Sequence, residues 1–229
     1  MLRKKRGSLE WLEFELLQQF AEVRHAIYLR QGTEILDLDK IKKHLGCEQI
    51  ISGKHEHGIC IERVPLENEV CDGLVTQEKS TGLFIKHADC QAVIFYDPIE
   101  KALGCIHAGW RGNVRNIYAQ AINKMRHLFG TKPENLFVGV SPSLGSCCSQ
   151  FIHFEKEIPQ KFWSFQHRPF YFDLWEMARS QLIEAGVLPH HLEIAPICTY
   201  CNPEDFDSYR RDKIKGRNTA TVACITGLN

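Results

Sequence analysis

The chain has no excess charge of either sign. Its 229 residues carry 28 Lys and Arg against 28 Asp and Glu, so the formal net charge is zero. That excludes the basic field by which a protein is drawn to nucleic acid. Long hydrophobic runs are also missing, and no stretch approaches the roughly 20 apolar residues of a membrane-spanning helix. The opening Met1-Leu2-Arg3-Lys4-Lys5-Arg6 resembles the basic end of a signal peptide. Glu10, Glu13 and Glu15 interrupt the apolar stretch that should follow, so export is rejected and a cytoplasmic protein expected. Repeats, low-complexity segments and linkers are absent.

Cysteine, by contrast, is plentiful, at ten residues. Disulfide frameworks belong to small secreted chains, which this is not, so the cysteines are read as reduced thiols. Most serve as small buried hydrophobes, and one or a few as ligands. Cys198-Thr-Tyr-Cys201 has the spacing of a redox or zinc pair. A second such pair is missing, which argues against structural zinc, and no strand–CxxC–helix pattern surrounds it, which argues against thioredoxin-like chemistry, so the pair reads as structural. The adjacent Cys147-Cys148 needs no disulfide.

Hydrophobic spacing predicts a short helix over Ser8 to Phe20, a strand over His25 to Arg30 ended by Gln31-Gly32, and a helix from Leu38 to Leu45 capped by Gly46. Strands are expected over Gln49–Ser52, Gly58–Val64, Gly73–Thr76 and Gly82–Ile85. Val114 to Leu128 presents Val114, Ile117, Ala121, Met125 and Leu128 on one helical face, stopped by Gly130. A strand over Leu136–Val140, a helix over Leu174–Ala185, and strands over Leu192–Ile197 and Thr219–Ile225 complete the reading. Hairpins mixed with helices argue for a single α/β domain with a mixed sheet.

The most informative stretch is HADCQAVIFYDPIEKALGCIHAGWRG, His87 to Gly112. Two strand-forming runs flank Asp97-Pro98-Ile99-Glu100. With Pro98 and Ile99 as the central turn residues, Cys90 falls opposite His107, with Cα atoms roughly 4.5–5.5 Å apart. Three readings are open: a buried Cys beside a hydrogen-bonded His, a zinc site, and a Cys nucleophile with a His base. Zinc needs a third ligand, which His55-Glu56-His57-Gly58 could supply, since His55 and His57 share a face in an extended segment. After His107, the run Gly109-Trp110-Arg111-Gly112 leads into a helix, an arrangement suited to an anion.

These motifs resemble the bacterial YfiH-type proteins, also known as multicopper polyphenol oxidase or laccase-domain proteins. Cys71-Asp72-Gly73-Leu74-Val75-Thr76 is similar to the family's A-D-A-L-V-T segment, and Ser141 to Cys148 to its G-P-x-I-G-x-C-C loop. Phe172 to Val187 is similar to its late helix, and Cys198 to Arg217 to its C-T…F-x-S-Y-R-R-D…G-R ending. The resemblance runs from about Gly53 to the C-terminus. It implies one layered α/β/α domain over residues 1–229, similar also to the cytotoxic-necrotizing-factor deamidases, with a shortened and divergent segment over about 1–50.

The resemblance further implies one zinc, with copper the lesser alternative, held by His57, Cys90 and His107. It implies phosphorolysis of adenosine, inosine or methylthioadenosine, and deamination of adenosine. The partners are then a purine nucleoside and phosphate, with no nucleic acid and no membrane. The family's catalytic arginine matches Arg30 loosely, because Arg30-Gln31-Gly32-Thr33-Glu34 replaces a longer loop; the usual Gln two residues before the first ligand is His55 here. A guanidinium fork suits phosphate, which makes Arg30, Arg111, Arg210 and Arg211 the candidates. Asp89 or Glu56 would move protons. The alternatives are a thiol hydrolase using Cys90 and His107, a peptidoglycan-editing factor, and a copper polyphenol oxidase, for which the ligand set is too small.

Overall fold

The computed structural model describes residues 1–30, 37–213 and 219–226. Gln31 to Glu34, and the Gly216-Arg217 of the C-terminal motif, lie outside the described residues. The chain opens with β1 (Leu2–Arg6), β2 (Leu9–Glu13) and β3 (Val23–Tyr28). Helix α1 (Leu38–Leu45) follows, then β4 (Gln49–Ile51), β5 (Ile61–Arg63), β6 (Gly73–Thr76) and β7 (Thr81–His87). The hairpin β8 (Gln91–Asp97) and β9 (Ala102–Ala108) leads into α2 (Trp110–Val114), α3 (Ile117–Phe129) and β10 (Phe137–Val140). Short α4 (Phe154–Glu157) and the pair β11 (Gln166–Arg168) and β12 (Tyr171–Phe172) precede α5 (Leu174–Glu184). Last come β13 (Leu192–Ile194), α6 (Tyr209–Asp212) and β14 (Thr219–Ile225).

The expected mixed, layered α/β architecture is present, with its strands shared between two sheets. One has the order β1-β2-β3-β14-β7-β4, the other β13-β10-β8-β9-β6-β5. Each mixes antiparallel pairs with parallel ones: β4 with β7 in the first, β5 with β6 and β10 with β13 in the second. The sheets meet face to face through Ile27, Leu83 and Ala223 on one side and Ile94, Tyr96 and Leu103 on the other. Helix α1 covers the outer face of the first sheet, setting Ile41 and Leu45 against Tyr28 and Phe84. Helices α3 and α5 cover the second, setting Ala121, Met125 and Leu182 against Val93, Phe95 and Ile106. The layers therefore run α/β/β/α. Strands β8, β9 and β14 are buried along all seven residues because both faces are covered.

The same two-sided cover explains why the helix expected over Ser8 to Phe20 is instead β2 followed by a turn of 3-10 helix at Leu16–Gln19. Trp11 faces the α1 side and Leu12 the inter-sheet core, so consecutive residues are buried and no alternation shows. The basic start is strand β1, whose Arg3 and Lys5 donate to Glu10. The helix expected from Val114 to Leu128 breaks at Asn116, in the left-handed region at φ 57°, whose side chain accepts from Ala119 N and caps α3.

In the β8–β9 hairpin Asp97 pairs with Ala102 and Ala92 with His107. The loop thus has four residues rather than the expected two. A two-residue type I turn would splay twisted strands. Here Asp97 Oδ1 accepts from Ile99 N and Glu100 N, and Lys101 at φ 52° turns the chain back. Cys90 is therefore a diagonal neighbour of His107, not its direct partner. The shift is even, so both still project from one face.

Candidate metal centre

Cys90 ends a tight bend after β7. Asp89 sits at φ 81°, and His87, fully buried, closes the bend by donating from Nδ1 to Cys90 O at 3.1 Å. Its Nε2 is then left to accept from Thr221 Oγ1 of β14 at 2.8 Å. His107 lies near the end of β9, 4% exposed. His57 lies in the loop before β5, at φ 60°.

The donor atoms of His57, Cys90 and His107 all lie within 4.8 Å of one another. What assembles them is Asp72, at the start of β6 and 2% exposed. Its carboxylate accepts from three successive backbone N–H groups, Glu56 at 3.2 Å, His57 at 2.9 Å and Gly58 at 2.7 Å, and from His107 Nδ1 at 2.9 Å. One buried anion therefore shapes the His-Gly loop and orients the other imidazole, leaving His107 Nε2 for Cys90.

The electrostatics follow from these contacts. Burial alone would raise Asp72, but the hydrogen bonds from His107 and the loop N–H groups hold it at about 2. Burial would likewise raise the Cys90 thiol, and hydrogen bonds to His107 and His57 bring it down to about 7. Burial would lower His107, yet Asp72 and Cys90 lift it to about 9. A soft thiolate flanked by two imidazoles is a donor set that suits zinc.

The left-handed His57 breaks the extended path expected through His55 to His57. The His55 ring instead stacks on His107, with centroids 4.6 Å apart and planes 8° off parallel. Burial depresses its pKa to about 4, and its buried Nε2 has no hydrogen-bond partner among the described residues. Gly109 closes the other side: a Cβ there would stand 2.7 Å from His57 Cδ2 and 3.2 Å from Cys90 Sγ.

The arginines divide. Arg111, second residue of α2, is exposed and lies over the Trp110 ring at 4.3 Å, two residues from Gly109. Arg30 lies 3.6 Å from Asp207 and donates to Pro203 O. Arg210 donates through Nη1 to Gln150 O. Arg211 directs its guanidinium inward, to Asp212 and to the carbonyls of Thr199, Tyr200 and Phe206. Those contacts engage all five of its donors, so Arg211 is a clamp on the 199–212 segment and has none left for phosphate. Asp89 is similarly engaged, accepting from Thr199 Oγ1 at 2.8 Å and Arg210 N at 2.6 Å. It braces the bend that carries Cys90, which weighs against a mobile proton carrier. Glu56 remains exposed, 3.9 Å from Lys54.

Sequence alone does not single out Asp72 within the Cys71–Thr76 run. A lone carboxylate inside an all-buried run is the available signal, since a buried charge demands partners.

A family model described as multi-copper polyphenol oxidoreductase laccase matches residues 36–225. The chain belongs to that family. The purine nucleoside phosphorylase of Bacteroides thetaiotaomicron is 35% identical over 156 residues, 63% of this chain and 57% of that protein. The purine nucleoside phosphorylase of Aquifex aeolicus is 27% identical over 216 residues, 91% of this chain and 98% of that one. Alignments to the relatives from Mus musculus, Bacteroides thetaiotaomicron and Bacillus subtilis span only 36%, 57% and 55% of their lengths. The crystal structure of a Bacillus licheniformis hypothetical protein YfiH shares the family fold, with a TM-score of 0.83 at 22% identity over 98% of this chain and 99% of that one. Among the described residues, no helix is long and apolar enough to cross a membrane.

Proposed function

We propose that the chain is a zinc-dependent purine nucleoside phosphorylase acting on adenosine, inosine or methylthioadenosine, with adenosine deamination as a second activity of the same site. The observation that carries this reading is the buried Asp72 holding both His57 and His107 against Cys90. The family's relatives named purine nucleoside phosphorylase support it. His57, Cys90 and His107 would hold the zinc, which would supply Lewis-acid chemistry there.

The chain's own residues do the rest. Asp72 fixes His107 in the tautomer that leaves Nε2 free as a ligand. His55, held neutral by burial, offers Nε2 as a polar atom that a substrate group would satisfy. Arg111 is the arginine best placed for phosphate, and Arg210 the next. In phosphorolysis a phosphate oxygen forms the bond to ribose C1′ as the glycosidic C–N bond breaks, and the departing base takes a proton. An arginine fork would hold the phosphate at that carbon. The exposed Glu56 is the remaining candidate to move protons.

Incubating the purified protein with zinc, phosphate and each nucleoside tests the reading. Free base and ribose 1-phosphate are expected by chromatography, and inosine from adenosine. Absence of all three at high protein concentration, with zinc bound, overturns it.

A second reading has its own observation. Asp72, His107 and Cys90 form a relay in which a carboxylate orients an imidazole beside a thiol held at about 7. That is also the arrangement of a thiol hydrolase. Rapid alkylation of Cys90 by iodoacetamide in metal-free protein that still turns over its substrate would favour it.

A further inference from the structure

Four cysteines outside this site converge on the surface. The adjacent pair Cys147-Cys148 and the pair Cys198 and Cys201 bring all four sulfurs within 4.8 Å of one another. Cys201 Sγ stands 3.7 Å from Cys147 Sγ and 3.4 Å from Cys148 Sγ. A zinc ion bonds thiolates at about 2.3 Å in a tetrahedron, which sets neighbouring sulfurs about 3.8 Å apart. The sequence shows one CxxC and lacks a second; the fold supplies the missing half from a dipeptide some fifty positions earlier. All ten cysteines are free thiols.

We propose that Cys147, Cys148, Cys198 and Cys201 form a structural tetrathiolate site for one zinc ion, separate from the His57–Cys90–His107 centre.

Three features of the surroundings fit a bound cation with four thiolates. Gly145 N donates to Cys198 Sγ at 3.3 Å, an N–H aimed at a sulfur that would carry negative charge. Gly145 permits that approach, since a Cβ there would meet Cys198 Cβ at 3.0 Å and Trp175 Cη2 at 2.7 Å. One divalent cation with four thiolates has a net charge of −2, and the guanidinium of Arg168, from β11, reaches the cysteine-bearing loop and donates to Cys147 O at 3.0 Å. A disulfide would join two of the sulfurs and leave the other two without a role.

The position suggests what the ion does. The two cysteine-bearing loops already touch through Ser143 N to Ile197 O at 3.2 Å and Thr199 N to Ser143 O at 3.0 Å. The same loops grip Asp89 from both sides, Leu144 N donating to its carbonyl and Thr199 Oγ1 to its carboxylate. Asp89 precedes the ligand Cys90. A zinc staple here would fix the bend that presents Cys90, and metal affinity would become folding stability.

Zinc content after dialysis against a weak zinc buffer tests this on the full chain. The unaltered protein is expected to hold two zinc ions, Cys90→Ala one, and Cys148→Ser/Cys201→Ser one. Cys201 is exposed, so Cys201→Ser alone is the variant expected to keep its fold, as checked by circular dichroism. Cobalt loaded into Cys90→Ala should give an intense thiolate-to-cobalt charge-transfer band that Cys201→Ser weakens and Cys148→Ser/Cys201→Ser abolishes. Unchanged zinc content in Cys148→Ser/Cys201→Ser overturns the proposal. So does iron with acid-labile sulfide, or a Cys148–Cys201 disulfide in protein purified with zinc present. Because Cys90→Ala removes the other site, these outcomes stand whatever becomes of the nucleoside reading.

Discussion

Asp72 Oδ1 and His107 Nδ1 are 2.9 Å apart, and their side chains are 2% and 4% exposed. An ion pair so enclosed orients the His107 ring more than it stabilises a fold. Asp72→Asn keeps the shape but loses the charge and can present an N–H to His107. Zinc affinity at the His57–Cys90–His107 centre is expected to fall 10–100-fold. Competition with a chromophoric chelator measures it, and an unchanged affinity would show that Asp72 does not tune the ligand.

Gly109→Ala probes the closeness of the centre without changing a ligand. Gly109 has φ −70°, which alanine adopts freely, so any effect is steric. The new methyl must displace His57 or Cys90. Zinc content should drop while the melting temperature moves by only a few degrees, because His57 is exposed and can yield. Full zinc occupancy would mean that the loop relaxes around the methyl.

Arg111→Ala and Arg211→Ala should fail in different ways. Losing a charged contact to phosphate costs on the order of 2–3 kcal/mol, so Arg111→Ala should raise the KM for phosphate some 30-fold or more at nearly constant stability. Arg211→Ala leaves three carbonyls without their donor and should lower stability instead. Steady-state kinetics against phosphate, beside thermal melts, separates them. The reverse pattern would return Arg211 to the phosphate site.

His25 makes the fold acid-sensitive. Buried in β3, it accepts from Phe14 N through Nε2 at 2.8 Å and must be neutral to do so. Burial, opposed weakly by Glu13, depresses its pKa from 6.5 to about 4. Below 6.5 the unfolded chain binds a proton that the folded chain refuses. Stability therefore falls as pH drops from 6.5 to about 4 and then levels, by roughly 3 kcal/mol in all. Urea unfolding of the parent and of His25→Gln at pH 7, 5.5 and 4 isolates this part, since the variant lacks it. Parallel pH curves for the two would refute it.

Much of this was legible beforehand, for definite reasons. Helix α1 shows in sequence because a surface helix keeps one polar face, and β6 and β14 because short apolar runs bounded by turns suit buried strands. Cys90 and His107 could be set on one face despite a misjudged loop, because strand geometry repeats every two residues. Strand β2 was misread because its two faces meet different cores. Asp72 and the four thiols escaped because their partners lie elsewhere in the chain, and only the fold makes them neighbours.

Strand β14 lies between β3 and β7 and pairs with both along nearly its whole length. On a ribosome, β3 and β7 emerge long before residues 219–225. Through that interval each presents an unpaired edge of backbone donors and acceptors, and the inter-sheet core lacks Ala223 and Ile225. His87, whose ring holds the Cys90 bend, also waits for Thr221. The nascent chain must therefore protect two sticky edges, by chaperone or by speed, and the bend that presents Cys90 gains its Thr221 brace only when translation has delivered the strand at the middle of the other sheet.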